Sequence, residues 1–128
     1  LGELRLRSSG KQVRDFITLR DIARAVRHSL QLNRDEIGDG LFNLGGGEAI
    51  SILEMANRVV LRWELMSGRR IAIKRSDIDC GRVGKLDYRW DKLERTGFEL
   101  TSEVDREIDN TLKLCICAFE ALREPTQS

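Results

Sequence analysis

The residues that could do chemistry are concentrated in the stretch from Ser9 to Glu48, which holds Gln12, Arg14, Asp15, Asn43 and the run Gly45-Gly46-Gly47. Arg14 offers an always-charged planar guanidinium, but Asp15 beside it and Asp21 nearby could make it one half of a structural ion pair. The triple glycine invites a phosphate-loop reading, yet it lacks the spacing of either dinucleotide motif and reads as a tight turn between a strand and a helix. No G-x-G-x-x-G or G-x-x-G-x-x-G turn follows an N-terminal strand, so the sequence shows no pyrophosphate cradle. His28 lies mid-helix without an acidic or nucleophilic partner and reads as a surface residue. The three cysteines, Cys80, Cys115 and Cys117, are an odd number and point to reduced thiols rather than a disulfide framework. Two positions apart on a helix, Cys115 and Cys117 diverge by about 200° and make poor co-ligands for zinc.

These residues must be positioned by an α/β chain. A length of 128 residues is enough for one core, and 41% hydrophobic with 34% charged residues is a globular composition. The net charge of +1, with basic residues spread along the chain, gives no warrant for nucleic acid or an acidic membrane as partner. No apolar run approaches the ~20 residues that span a bilayer. No signal peptide is visible, and the start at Leu-Gly suits a fragment or a processed chain; a cytoplasmic setting is expected.

Alternation over Glu3 to Arg7 predicts a strand, turned by Ser8-Ser9-Gly10. Val13 to Leu19 reads as a second short extended piece or a loop. Thr18 to Asp21 fits a capping box, followed by a helix whose face is Ile22, Ala25, Val26, Ser29 and Leu30 and which ends near Asn33. Arg34 to Gly40 reads as a surface loop, and Leu41 to Leu44 as a short buried strand. Ser51 to Glu54 is a second capping box, its helix burying Ile52, Met55, Ala56, Val59, Val60 and Trp63 and closed by Gly68. A strand over Arg70 to Lys74, a loop over Ser76 to Lys85, a short helix over Trp90 to Arg95 stopped by Gly97, and a last helix from Ser102 complete the chain. The last helix carries the stripe Val104, Ile108, Leu112, Cys115, Phe119 and Leu122 before a frayed tail at 124–128. Three or four helices thus alternate with short strands that make most sense as additions to a larger sheet.

Taken in order, these segments resemble the extended short-chain dehydrogenase/reductase family, the NAD(P)-dependent epimerases and dehydratases of nucleotide sugars. The resemblance rests on Gly10, Gln12, Arg14-Asp15-Phe16 and Asp21, then Phe42-Asn43-Leu44-Gly45-Gly46, the helix opening Ser51-Ile52-Leu53-Glu54, Leu86-Asp87, and Gly97-Phe98 before the final helix. It covers nearly the whole chain, 1–128, as a single domain or partial domain. What it implies is the C-terminal substrate-binding part of such an enzyme, with the N-terminal Rossmann half absent. The implied function is to orient a nucleotide sugar for C4 oxidation by NAD or NADP held in the missing half. In that scheme Arg14 contacts the diphosphate, with Gln12 at its side, and Asn43 adds a polar contact on the nucleotide side. Arg75, with Arg82 as competitor, supplies a second arginine, although the loop reads Arg75-Ser76-Asp77-Ile78 where the family shows Arg-x-Gly-Asp.

Tyr88 and Lys92 match the spacing of the family's catalytic pair, in which a lysine lowers the tyrosine pKa. They stand at the family's late Leu-Asp helix, far downstream of where that pair belongs, and are set aside; no catalytic residue is assigned. The implied partners are the nucleotide sugar, the Rossmann half and, as a further option, a second copy. The helix from Asp21 to Leu32 and the strand from Leu41 to Leu44 are expected to pack on the missing half and, without it, to expose apolar surface and promote self-association. The alternative reading is a stand-alone, non-catalytic module that binds a nucleotide or a protein.

Overall fold

Glu3 and Ala72 begin the pairing that brings the start of the chain against its middle. In this computed structural model, which describes residues 2–78 and 88–121, strand β1 (Glu3–Leu6) lies parallel to β4 (Ala72–Arg75) in register Glu3↔Ala72 through Leu6↔Arg75. A second pair is antiparallel, β2 (Val13–Asp15) with β3 (Ala49–Ser51), and sets Arg14 opposite Ile50. Among the described residues the helices are α1 (Leu19–Ser29), α2 (Arg34–Ile37), α3 (Ile52–Ser67), α4 (Asp91–Glu94) and α5 (Val104–Ala121). The architecture is α/β, as the sequence predicts.

The segment between β1 and β2 is tied to the first turn of α3. Leu53 N–H donates to Gly10 O at 2.9 Å, and Ile52 N–H to Gln12 O at 2.9 Å. Gly10 has φ +76°, and a Cβ there would lie 3.0 Å from Leu53 Cβ, so a glycine suits both the conformation and the approach. Ser51 and Glu54 form the predicted capping box, and Gly68 closes the helix with φ 67° and its N–H on Glu64 O. Gly97 follows α4 with φ +84°, as expected of a helix stop.

Four sequence expectations need correction. The first helix ends at Ser29 rather than near Asn33, and Asn33 instead caps α2 through a complete capping box with Glu36. The segment Arg34 to Gly40 is therefore partly helical rather than a loop. The stretch from Leu41 to Leu44 has no strand partner among the described residues; exposure alternates along it, with Leu41 and Asn43 exposed and Phe42 and Leu44 half-buried. An extended segment becomes a strand only with a neighbour to take its backbone groups. His28 is not a free surface residue: its Nε2 lies 2.8 Å from Thr96 Oγ1, and its ring lies 5.6 Å from that of Phe98. Residues 124–128, Leu122, Cys80, Arg82 and Leu86-Asp87 lie outside the described residues.

The buried apolar cluster is small: Ala25, Leu93 and Phe98, with Phe42, Leu44, Trp90 and Leu100 packed on it. At its edge sits a buried carboxylate. Asp21 is 1% exposed and accepts hydrogen bonds from Thr101 N–H (2.9 Å), Thr101 Oγ1 (2.9 Å), Ser102 N–H (3.3 Å), Thr18 Oγ1 (3.0 Å) and Arg24 Nη1 (2.8 Å). Thr18 caps the helix by accepting from Asp21 N–H, as predicted, but the Asp21 carboxylate serves the distant loop instead of simply closing the box. Burial pushes this carboxyl's pKa up, but the hydrogen bonds from Thr101, Arg24 and Thr18 outweigh burial and hold it below the ordinary value.

A lowered folded pKa stabilises the fold above the unfolded value of about 3.9 and loses that contribution as pH falls through the folded value. Asp21→Ala is expected to cost about 3 kcal/mol or more by urea unfolding, since it leaves Arg24 and the Thr101 donors without their acceptor. Asp21→Asn should flatten the acid limb of stability below about pH 4. An unchanged acid limb in that variant would show that Asp21 does not carry this dependence.

Candidate functional site

β2 positions the candidate residues by simple alternation. Successive side chains on a strand point to opposite faces, so Val13 and Asp15 turn inward, half-buried, and Arg14 turns outward, exposed. The carboxylate of Asp15 accepts the Gly46 N–H, with Oδ1 at 3.0 Å and Oδ2 at 2.9 Å. That contact requires glycine. A Cβ on Gly46 would lie 1.7 Å from Phe16 O, and one on Gly45 would lie 2.3 Å from Asp15 Oδ2 and 2.7 Å from Tyr88 Cδ1. The run Gly45-Gly46-Gly47 is thus a turn pressed against the strand that carries Arg14, with Gly47 at φ +84°.

Asp15 is therefore engaged with the backbone, and Asp21 with Arg24 and Thr101. The ion-pair reading of Arg14 fails: among the described residues neither carboxylate pairs with it. Its guanidinium donates to Val13 O at 2.8 Å and to Gln12 Oε1 at 3.0 Å. These contacts orient the fork without neutralising it. Gln12 is so far a positioning residue, next to Arg14.

Asn43 is exposed and donates from Nδ2 to Arg89 O at 3.3 Å, which ties the Phe42–Leu44 segment to the residues before α4. Arg75 is exposed at the end of β4, in the other sheet, opposite Leu6. No hydrogen bond or ion pair among the described residues joins Arg75, Arg14 and Asn43 to one another. The structure joins Gln12 to Arg14 by a hydrogen bond; Arg82 lies outside the described residues.

Lys92 does not serve Tyr88. Its ammonium donates to Asp39 and, at 2.7 Å, to Leu41 O, and lies 4.8 Å from the centre of the Phe42 ring. The Lys92 hydrogen bond, followed by that of the Leu41 N–H, lowers the Asp39 pKa. The role of Asp15 was not anticipated. A carboxylate at the end of a strand, with a glycine run elsewhere in the sequence, was the available signal, but the sequence does not show that the two meet.

A cleft at this turn is lined by residues that include Phe16, Gly47, Glu48, Arg58, Trp90 and Ser102. An apolar groove runs between α3 and α5, where Met55 and Val59 face Val104, Ile108 and Leu112. Neither contains Arg14, Asn43 or Arg75. Among the described residues, no helix is long and apolar enough to cross a membrane.

Neither a protein-family model nor a curated protein sequence matches the chain. Solved structures do. UDP-N-acetylglucosamine 4-epimerase from Methanobrevibacter ruminantium, solved with UDP-N-acetylmuramic acid, matches with a TM-score of 0.69 at 20% identity over 91% of this chain and 35% of its own. UDP-glucose 4-epimerase from Thermotoga maritima, with UDP-glucose, gives 0.68 at 18% identity over 91% of this chain and 36% of its own. UDP-glucuronic acid 4-epimerase from Bacillus cereus, with UDP-glucuronic acid and NAD, gives 0.61 at 21% identity over 84% and 33%. The chain has the fold of the C-terminal portion of these epimerases, and it spans about a third of their length.

The close approach at Gly46 is directly testable. Gly46→Ala should cost about 2–4 kcal/mol in denaturant unfolding, because the new Cβ meets backbone rather than a movable side chain. A variant with the parent's denaturation midpoint would refute the contact between the glycine turn and Phe16.

Proposed function

We propose that this chain is the substrate-binding part of an NAD(P)-dependent epimerase of the extended short-chain dehydrogenase/reductase family, and that it holds the diphosphate of a UDP-sugar. The observation that carries the reading is Arg14: an exposed guanidinium, oriented by Val13 O and Gln12, unpaired with either neighbouring carboxylate, on the fold shared with UDP-sugar 4-epimerases. A planar fork of donors matches phosphate oxygens in pairs and needs no proton exchange to do so. Asn43 would contribute a polar contact toward the nucleotide, and Arg75 or Arg82 a second cation. Fixing the diphosphate fixes where the sugar ring can lie, which is positioning work rather than bond chemistry.

NAD or NADP would be held by a Rossmann part of the parent enzyme, where it supplies the hydride acceptor and donor for the sugar's C4. The glycine turn of this chain does not suit that task. Its Gly46 amide donates to Asp15, whereas a pyrophosphate cradle presents free amides. The Rossmann part would also cover the apolar face of α1. Val26 is exposed, Leu30 is 82% exposed and Leu41 is 74% exposed, too much apolar surface for an 11-residue helix and the strand-like segment after it to leave in water.

Two measurements test this reading. Calorimetric titration of the chain with UDP, at low and moderate salt, should show binding that weakens with salt and falls at least about tenfold in Arg14→Ala, the scale of one lost hydrogen bond to a charged group. UDP affinity that is unchanged in Arg14→Ala would remove the proposed role. An environment-sensitive apolar dye should bind the chain and lose much of its signal in a Val26→Asp/Leu30→Asp variant; a signal that ignores those changes would argue against α1 as an uncovered docking face.

A further inference from the structure

Tyr88 has the spacing of a catalytic tyrosine but not its lysine, because Lys92 is engaged by Asp39 and Leu41 O. It is not a core residue either. Phe98 is buried and Phe42 and Trp90 pack against the apolar cluster, whereas Tyr88 is 45% exposed. Its phenol makes no hydrogen bond with the described residues, so the side chain has no polar structural task among them.

The ring is nevertheless held in place. A Cβ on Gly45 would lie 2.7 Å from Tyr88 Cδ1 and 3.1 Å from Cε1, so the ring rests on backbone that only glycine leaves bare. The same Cβ would lie 2.3 Å from Asp15 Oδ2, which makes the ring and the Asp15 carboxylate neighbours across Gly45. One residue further on, Arg89 O accepts the Asn43 Nδ2–H at 3.3 Å. Tyr88 and Arg89 are thus fastened to the segment Asn43 to Gly45, and the next residue, Gly46, donates to Asp15, the sequence neighbour of Arg14.

A tyrosine has two side-chain torsions, so a ring already seated on a turn loses little freedom when a ligand packs on it. The cation beside it in sequence is occupied: Arg89 Nη2 donates to Asp91 Oδ2 at 2.7 Å. What this position offers is an aromatic surface. Of the parts of a UDP-sugar, the diphosphate is anionic and is repelled by the negative face of a ring, and the sugars are puckered and hydroxylated; the base alone is flat and aromatic. Resting on the reading that Arg14 holds the diphosphate and Asn43 faces the nucleotide, we infer that Tyr88 is the surface on which the base stacks. It sets the preference for a nucleoside diphosphate over a bare one.

The chain has one tyrosine, so its replacement by 3-fluorotyrosine gives a single fluorine signal. UDP and uridine should move that signal, and inorganic pyrophosphate should leave it nearly in place. In calorimetry Tyr88→Ala should weaken UDP binding at least about fivefold and Tyr88→Phe less than about twofold, the pattern of stacking. The salt dependence of UDP binding should survive in both variants, since the lost contact is uncharged. Pyrophosphate should bind Tyr88→Ala as it binds the parent and weaken only in Arg14→Ala. UDP affinity unchanged in Tyr88→Ala would overturn the inference. So would a loss confined to UDP-glucose, which would put the sugar on the ring, or a loss in Tyr88→Phe as large as in Tyr88→Ala, which would transfer the role to the hydroxyl. Pyrophosphate affinity that falls together with that for UDP would make the ring a prop for the turn, and a fluorine signal that follows pyrophosphate as closely as UDP would also count against the base. UDP affinity that falls in Tyr88→Ala but ignores Arg14→Ala would uphold the base contact and remove the diphosphate reading; a chain that binds no UDP would remove both.

Discussion

The carboxylate of Asp21 is the constraint on which most of the remaining structure depends. It sits at the first turn of α1 and takes hydrogen bonds from Thr101 and Ser102, 80 and 81 positions away in sequence. That single buried anion fixes where the chain stands before α5 begins. Ser102 has φ 53°, a left-handed conformation uncommon outside glycine, and its amide is directed at the same carboxylate. Arg24 adds a second tie, since its guanidinium also donates to Glu99 O at 2.7 Å and lies 5.4 Å from the centre of the Phe98 ring. The small apolar cluster of Ala25, Leu93 and Phe98 is thereby framed by polar contacts that have one geometry, whereas burial alone has many.

The same division of labour shapes the candidate site. Asp15 and Arg14 are neighbours in sequence and could have neutralised one another. Strand alternation sends them to opposite faces, and the Gly46 amide gives Asp15 a different partner. The consequence for Arg14 is electrostatic. Its guanidinium is held by a backbone carbonyl and an uncharged amide rather than by a neighbouring carboxylate. The glycine run acts on Arg14 only indirectly, by donating the Gly46 N–H that engages Asp15.

How much of this was legible in the sequence follows from the range of the interactions involved. Ser51 with Glu54, Gly68, and Gly97 act within a few residues, and each stands where the pattern put it. The strand over Ala72 to Arg75 was legible from alternation, starting two residues and ending one residue later than the expected Arg70 to Lys74. What pairs with it was not, because the parallel partner β1 lies far away in sequence. Ala49 to Ser51 is too short to show a period, so β3 was missed. The capping box at Asn33 and Glu36 was hidden inside a segment whose polarity suggested a loop. His28 looked isolated because Thr96 and Phe98, its companions, come from the far end of the chain. At the site, Arg14 was legible from residue type and local sequence, while the partner that frees it, Gly46 holding Asp15, was a contact across 31 positions.

Secondary structure and burial do not agree in this chain, and the disagreement carries information. Parallel strands are ordinarily covered on both faces, yet the parallel pair here has exposed residues along both strands, among them Arg5, Ala72, Lys74 and Arg75. α1 is amphipathic but turns Leu19, Val26 and Leu30 to solvent. A domain of this length normally buries more of its large apolar side chains than the few found here. The two apolar surpluses nevertheless differ in kind. On α1 the excess is one-sided and continues toward Leu41. On α5 the exposed apolar residues, among them Leu114 and Phe119, come where α3 has ended.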